Sequence, residues 1–118
     1  MEYKLLAWNC QGISNKKTIS ILTLSSKQVN YLKELIDIYK INVVILLEPR
    51  VSGITALSII KTLGMAKSHR VEAIGFSGGI WILWHHSINV KIIHNDWQFI
   101  HMHVIFPGNI STHLTSAY

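Results

Sequence analysis

A chain of 118 residues has room for one ordinary domain, or part of one, and not for two. Hydrophobic residues make up 49% and charged ones only 14%, against about 25% charged in a typical soluble domain; this fits either a compact strand-rich core or a fold whose inner apolar face is normally covered by further chain. Cys10 is the lone cysteine, which excludes an internal disulfide and a multi-cysteine metal site, and the formal charge of +5 with seven histidines favours polyanionic partners such as nucleic acid.

The first apolar run, Tyr3-Lys4-Leu5-Leu6-Ala7, ends in Trp8-Asn9 and reads as a strand. Gln11 to Lys17 has loop composition, with Gly12, Ser14 and Asn15 as turn residues. From Lys27 the period changes: Val29, Leu32, Leu35, Ile36 and Tyr39 share a helical face, with Ser26 as candidate N-cap and Lys40 in the last turn. Val43 to Leu47 is apolar without alternation, as expected of a strand buried on both faces, so strand, helix and strand form a parallel crossover.

Pro49 stops that strand because it lacks a ladder donor. Ser52-Gly53 leads into a second helical stretch in which Ile54, Leu57, Ile60 and Leu63 share a face, and Gly64 is its stop. Strands are predicted over Ser68 to Ala73, Ile80 to Trp84, Asn89 to Ile93, Phe99 to Phe106 and Thr112 to Tyr118, with turns at Gly75-Phe76-Ser77-Gly78-Gly79 and Pro107-Gly108-Asn109. The fold class is therefore α/β: a mixed β-sheet with helices on one face and something covering the other. Trp81 and Trp84, three apart, are expected to face opposite sides of one strand.

No secretory segment is visible, and Ala73 to Val90, though free of formal charge, is too interrupted by glycine, serine and histidine to span a membrane. The chain reads as soluble and intracellular, with residues 1–118 a single partial domain.

Glu48 is the leading candidate for chemistry. It follows the last residue of a buried strand, at the sheet rim where α/β folds build their sites, and Mg²⁺ favours one or two carboxylates completed by water and substrate phosphate. The competing role is an ion pair with a neighbouring cation such as Arg50. Asn9 offers an amide that can orient a water or a phosphate oxygen, or simply cap a turn. Lys16-Lys17, Arg50, and Lys67 with Arg70 around His69 can line a phosphate backbone or form a solvated face. His101 and His103 share a strand face, but no signature spacing marks a histidine metal site. The Gly75–Gly79 cluster lacks the lysine and the following helix of a phosphate-binding loop and reads as a turn.

Four ordered segments together carry a resemblance: Leu5-Leu6-Ala7-Trp8-Asn9-Cys10-Gln11-Gly12, Ile45-Leu46-Leu47-Glu48-Pro49-Arg50, Gly75-Phe76-Ser77-Gly78-Gly79-Ile80-Trp81-Ile82-Leu83-Trp84 and Leu114-Thr115-Ser116-Ala117-Tyr118. In this order they resemble the endonuclease/exonuclease/phosphatase superfamily, most nearly the N-terminal endonuclease domain of plant LINE-type (non-LTR) retrotransposon polyproteins. The resemblance implies a DNase-like four-layer α/β sandwich of which this chain is the N-terminal half, and a Mg²⁺-dependent endonuclease that cleaves DNA phosphodiesters with an activated water, in the nucleus. It places Asn9 in the active-site cluster, Glu48 on the metal and Tyr118 at a phosphate-contacting position.

Gln11 stands where many members carry aspartate, and the family's Asp-x-Asn segment and C-terminal Asp-His pair would lie past Tyr118. The resemblance thus implies an endonuclease by ancestry with an incomplete catalytic set; the alternative is a non-catalytic retroelement remnant that binds nucleic acid weakly. A phosphoinositide or sphingolipid phosphodiesterase of the same superfamily fits Glu48-Pro49-Arg50 less well. With the second sheet mostly missing, the inner face of the first is expected to be exposed.

Overall fold

The computed structural model describes residues 2–10, 26–51, 53–72 and 78–117. Nine elements follow in chain order: β1 (Leu5–Asn9), α1 (Ser26–Tyr39), β2 (Val43–Leu47), α2 (Gly53–Leu63), β3 (Lys67–Val71), β4 (Ile80–Trp84), β5 (Asn89–Asn95), β6 (Phe99–Phe106) and β7 (Ile110–Ala117). They form a four-stranded sheet of order β1-β2-β4-β3 and a three-stranded sheet of order β5-β6-β7. β1 and β2 are parallel, as the intervening helix requires, while β4 runs antiparallel between β2 and β3.

The amphipathic patterns decide how the layers stack. Val29, Leu32 and Ile36 of α1 and Ala56, Ile60 and Leu63 of α2 pack against Val44 and Leu46 of β2 and Trp81 and Leu83 of β4. The alternate residues of the same strands, Val43, Ile45, Ile80, Ile82 and Trp84, pack against Ile100, Met102 and Val104 of β6. Helices, first sheet and second sheet are therefore three successive layers with an apolar core in each gap.

That arrangement corrects one expectation: the inner face of the first sheet is buried, because β5–β7 form a sheet of their own that covers it. Among the described residues no helix lies on the outer face of the second sheet. Trp81 and Trp84 do face opposite sides, and each is buried in a different core. The buried stripe of α2 is rotated from the one expected: Ala56, Ile60 and Leu63, at i, i+4 and i+7, point inward, leaving Ile54 85% and Leu57 45% exposed. Tyr39, expected on the buried face of α1, is likewise exposed.

Local signals place the element ends. Lys40 does not sit in the last turn of α1 but just beyond it, at φ 54°, and Ile41 N–H donates to Ile36 O at 3.2 Å, so a lysine occupies the left-handed closing position that glycine usually fills. Gly64 closes α2 at φ 76°. At the start of β2, Asn42 ties three strands together. Lys4 N–H donates to Asn42 Oδ1 at 2.8 Å, Asn42 N–H donates to Lys4 O at 2.8 Å, and His85 N–H, just after β4, donates to Asn42 O at 3.0 Å.

Candidate functional site

At the opposite end of the first sheet, β1 and β2 finish side by side. Their parallel register pairs Asn9 with Leu47, and one step on Cys10 N–H donates to Leu47 O at 2.9 Å. The chain then leaves β2 through Glu48-Pro49-Arg50. Glu48 and Arg50 both hold left-handed backbones, φ 54° and 58°, which cost of order 1–3 kcal/mol each in non-glycine residues and persist only where the surroundings impose them.

The imposing contacts come from the two glycines that lead into β4. Glu48 N–H donates to Gly79 O at 2.9 Å and Arg50 N–H to Gly78 O at 3.1 Å. Pro49, buried between them, has no N–H to satisfy and so interrupts nothing. Gly78 and Gly79 themselves take φ 77° and 98°, a backbone that side chains disfavour. The sequence places a polar group past the last apolar residue of β2; the paired glycines hold it in one geometry.

Both side chains of this corner are held close. Arg50 Nη2 lies 3.4 Å from Glu48 Oε1, and each side chain is only 18% exposed. Arg50 Nε is buried without a hydrogen-bond partner among the described residues, leaving a directed donor beside the carboxylate. Cys10, buried at the same rim, has its thiol pushed up to about 12, first by burial and secondarily by the charge of Glu48, so it is a neutral neighbour and not a nucleophile. Asn9 is exposed at the end of β1, on the edge of this corner.

Glu48 thus has both roles considered for it: a rim carboxylate and the partner of Arg50. Its chemistry suits Mg²⁺, which needs only one or two carboxylates when water and phosphate complete the shell. Among the described residues no group of three or more His, Cys, Asp or Glu is placed to hold a metal by itself. Tyr118, Gln11, Lys16, Lys17 and the turn residues Gly75, Phe76 and Ser77 lie outside the described residues. The basic group on β3 is largely engaged: Arg70 pairs with Glu72 at 3.3 Å, and His69 Nε2 shares a 2.7 Å hydrogen bond with Asn95 Oδ1 of the second sheet.

A cleft of about 320 Å³ opens at the far end of the first sheet, lined in part by Asp37, Lys40, Asn42 and His85. Its polar groups already serve structure, since Asn42 clamps strands and Asp37 pairs with Lys33 at 3.9 Å. The corner at Glu48 is the better candidate, having strained backbone, a half-buried ion pair and an unsatisfied donor in one place. The sequence singled out Glu48 and Asn9 and offered Arg50 as a neighbouring cation; the structure pairs Arg50 with Glu48 and gives both residues a left-handed backbone that no local signal announced.

No protein-family model matches the sequence, and no curated protein matches it significantly. Among solved structures the chain is similar to an AP endonuclease from Leishmania major, with a TM-score of 0.64 and 12% identity over 98% of this chain and 40% of that one. It is also similar to a 3′ phosphatase from Neisseria, seen bound to a product DNA hairpin, with a TM-score of 0.54 and 12% identity over 99% of this chain and 41% of that one. The likeness is one of fold: a mixed, DNase-like α/β architecture of which this chain spans 40–41% of the matched structures' length.

Proposed function

We propose that this chain is a partial domain carrying the metal corner of a Mg²⁺-dependent, DNA-cleaving endonuclease of the retrotransposon type, working in the nucleus. The observation that carries the reading is Glu48, held in a left-handed backbone at the end of β2 beside Arg50, on a fold shared with an AP endonuclease and a DNA 3′ phosphatase.

Glu48 would hold the Mg²⁺, which when bound supplies positive charge to a scissile phosphate and its leaving oxygen. Arg50 keeps the Glu48 carboxylate oriented, and its guanidinium, at the same corner, would add a donor toward a phosphate oxygen. Asn9, at the adjoining strand end, orients a water or phosphate oxygen through its amide. Tyr118, which follows β7 directly, would add a phosphate contact.

A second reading has support of its own: the Glu48 carboxylate is already paired with Arg50. On this reading the chain is a non-catalytic retroelement remnant that binds nucleic acid weakly through its net charge of +5. Nicking of supercoiled plasmid in Mg²⁺, beside a Glu48→Gln control, separates the two. Nicking that disappears in the control supports the endonuclease. Salt-dependent DNA binding without nicking by a folded sample supports the remnant, and equal nicking by both proteins sinks the role of Glu48.

A further inference from the structure

The outer face of the second sheet is rich in histidine. Cross-strand register puts Lys91 of β5 opposite His103 of β6, His103 opposite His113 of β7, and His94 opposite His101, so these side chains share the face turned away from the core. Three of the rings form one column. His103 and His113 stack at 4.4 Å with planes 9° apart, and His113 and His101 lie 5.8 Å apart at 13°. His94 stacks on Phe99 at 5.3 Å beside them.

The column is anchored, since His101 Nδ1 shares a 2.7 Å hydrogen bond with the Thr115 hydroxyl. The charge around it is of one sign. Lys91 and His94 face it from β5, His101 and His103 from β6 and His113 from β7, and no carboxylate occupies an outward position of these strands. The nearest acid in sequence, Asp96, lies in the β5–β6 turn and accepts from Gln98 N–H at 2.9 Å.

We infer that this face binds a single strand of nucleic acid, its bases extending the histidine column and its phosphates meeting Lys91 and the N–H edges of the rings. Parallel aromatic planes on an open sheet are a surface on which unpaired bases stack, whereas the stacked bases of a duplex cannot reach them. A phosphate placed against the edges of these rings accepts hydrogen bonds from their N–H groups beside the ammonium of Lys91. The site is separate from Glu48 and does not depend on the endonuclease reading.

The test uses the whole chain in EDTA, with fluorescence anisotropy of a labelled single-stranded decamer. We expect the unmodified chain to bind it. The double variant His103→Ser/His113→Ser should bind about tenfold more weakly, a loss of the size expected for a stacked base. Glu48→Gln should bind like the unmodified chain. Should the double variant fail to fold, histidine ring NMR signals of the unmodified chain decide: those of His101, His103 and His113 must move on titration with the oligonucleotide. Unmoved ring signals, undiminished binding by a folded double variant, no binding by the unmodified chain, or equal competition by duplex DNA or polyphosphate would each overturn the inference.

Discussion

β4 and β6 are both central strands, yet they are buried differently. All five residues of β4, Ile80 to Trp84, are buried, because helices cover one side of the first sheet and β6 the other. In β6 only every second residue, Ile100, Met102 and Val104, reaches a core, while His101, His103 and Ile105 look outward and are half-buried. The difference lies in the number of layers, and it appears in the chain as an unbroken apolar run against an alternation of apolar residue and histidine.

The largest effects should come from breaking β4 at neighbouring positions. Trp81→Ala and Ile82→Ala, adjacent in sequence but in different cores, should each destabilise by about 2–5 kcal/mol in denaturant unfolding. A small effect at either one would mean that its side of the strand is not closed. β6 should instead alternate: Met102→Ala should cost about 2–5 kcal/mol and His103→Ala about 0.5 kcal/mol or less. Equal losses at the two positions would show a further layer on the histidine face.

The rim between β1 and β2 provides a pH test of burial. Cys10 has its thiol raised from 9.0 to about 12, chiefly by desolvation and further by Glu48. Because the folded pKa lies above the unfolded one, the contribution is fully present below pH 9 and is lost as pH rises from 9 toward 12. Stability measured across that window should fall in the unmodified chain and fall less in Cys10→Ala; identical curves would place the thiol in water. The smallest effect is expected at Lys40, where Lys40→Gly removes the penalty of a left-handed lysine and should raise stability by about 0.5–1 kcal/mol. A loss of stability there would mean that the side chain contributes more than its backbone costs.

Much of this was legible in the sequence because period and burial correspond directly. The unalternating run of β2 announced a strand covered on both sides, and His101 and His103, two apart, announced one shared face. The stripe of α2 was misjudged because Ile54 and Leu57 outweigh Ala56 in hydrophobicity, whereas contact with α1 and the sheet selects the small residue. The separate sheet β5–β7 was missed because hairpins joined by short turns specify neighbours without saying which sheet they join. At the candidate site, Pro49 marked where β2 ends, which located Glu48. The left-handed backbones of Glu48 and Arg50 depend on carbonyls of Gly78 and Gly79, some thirty residues away in the chain, and no local propensity encodes them.

The clamp at Asn42 bears on the opposite end of the sheet. Strands are stiff rulers of about 3.3 Å per residue, so the bonds that align β1, β2 and β4 at Asn42 also dictate, roughly 20 Å away by that spacing, that Glu48 emerges beside Cys10 and opposite Gly79. A slip of one residue would turn every side chain of β2 to the other face and carry the carboxylate out of its corner. Asn42 is in that sense an alignment mark: it touches no candidate catalytic group, yet it sets where one is found.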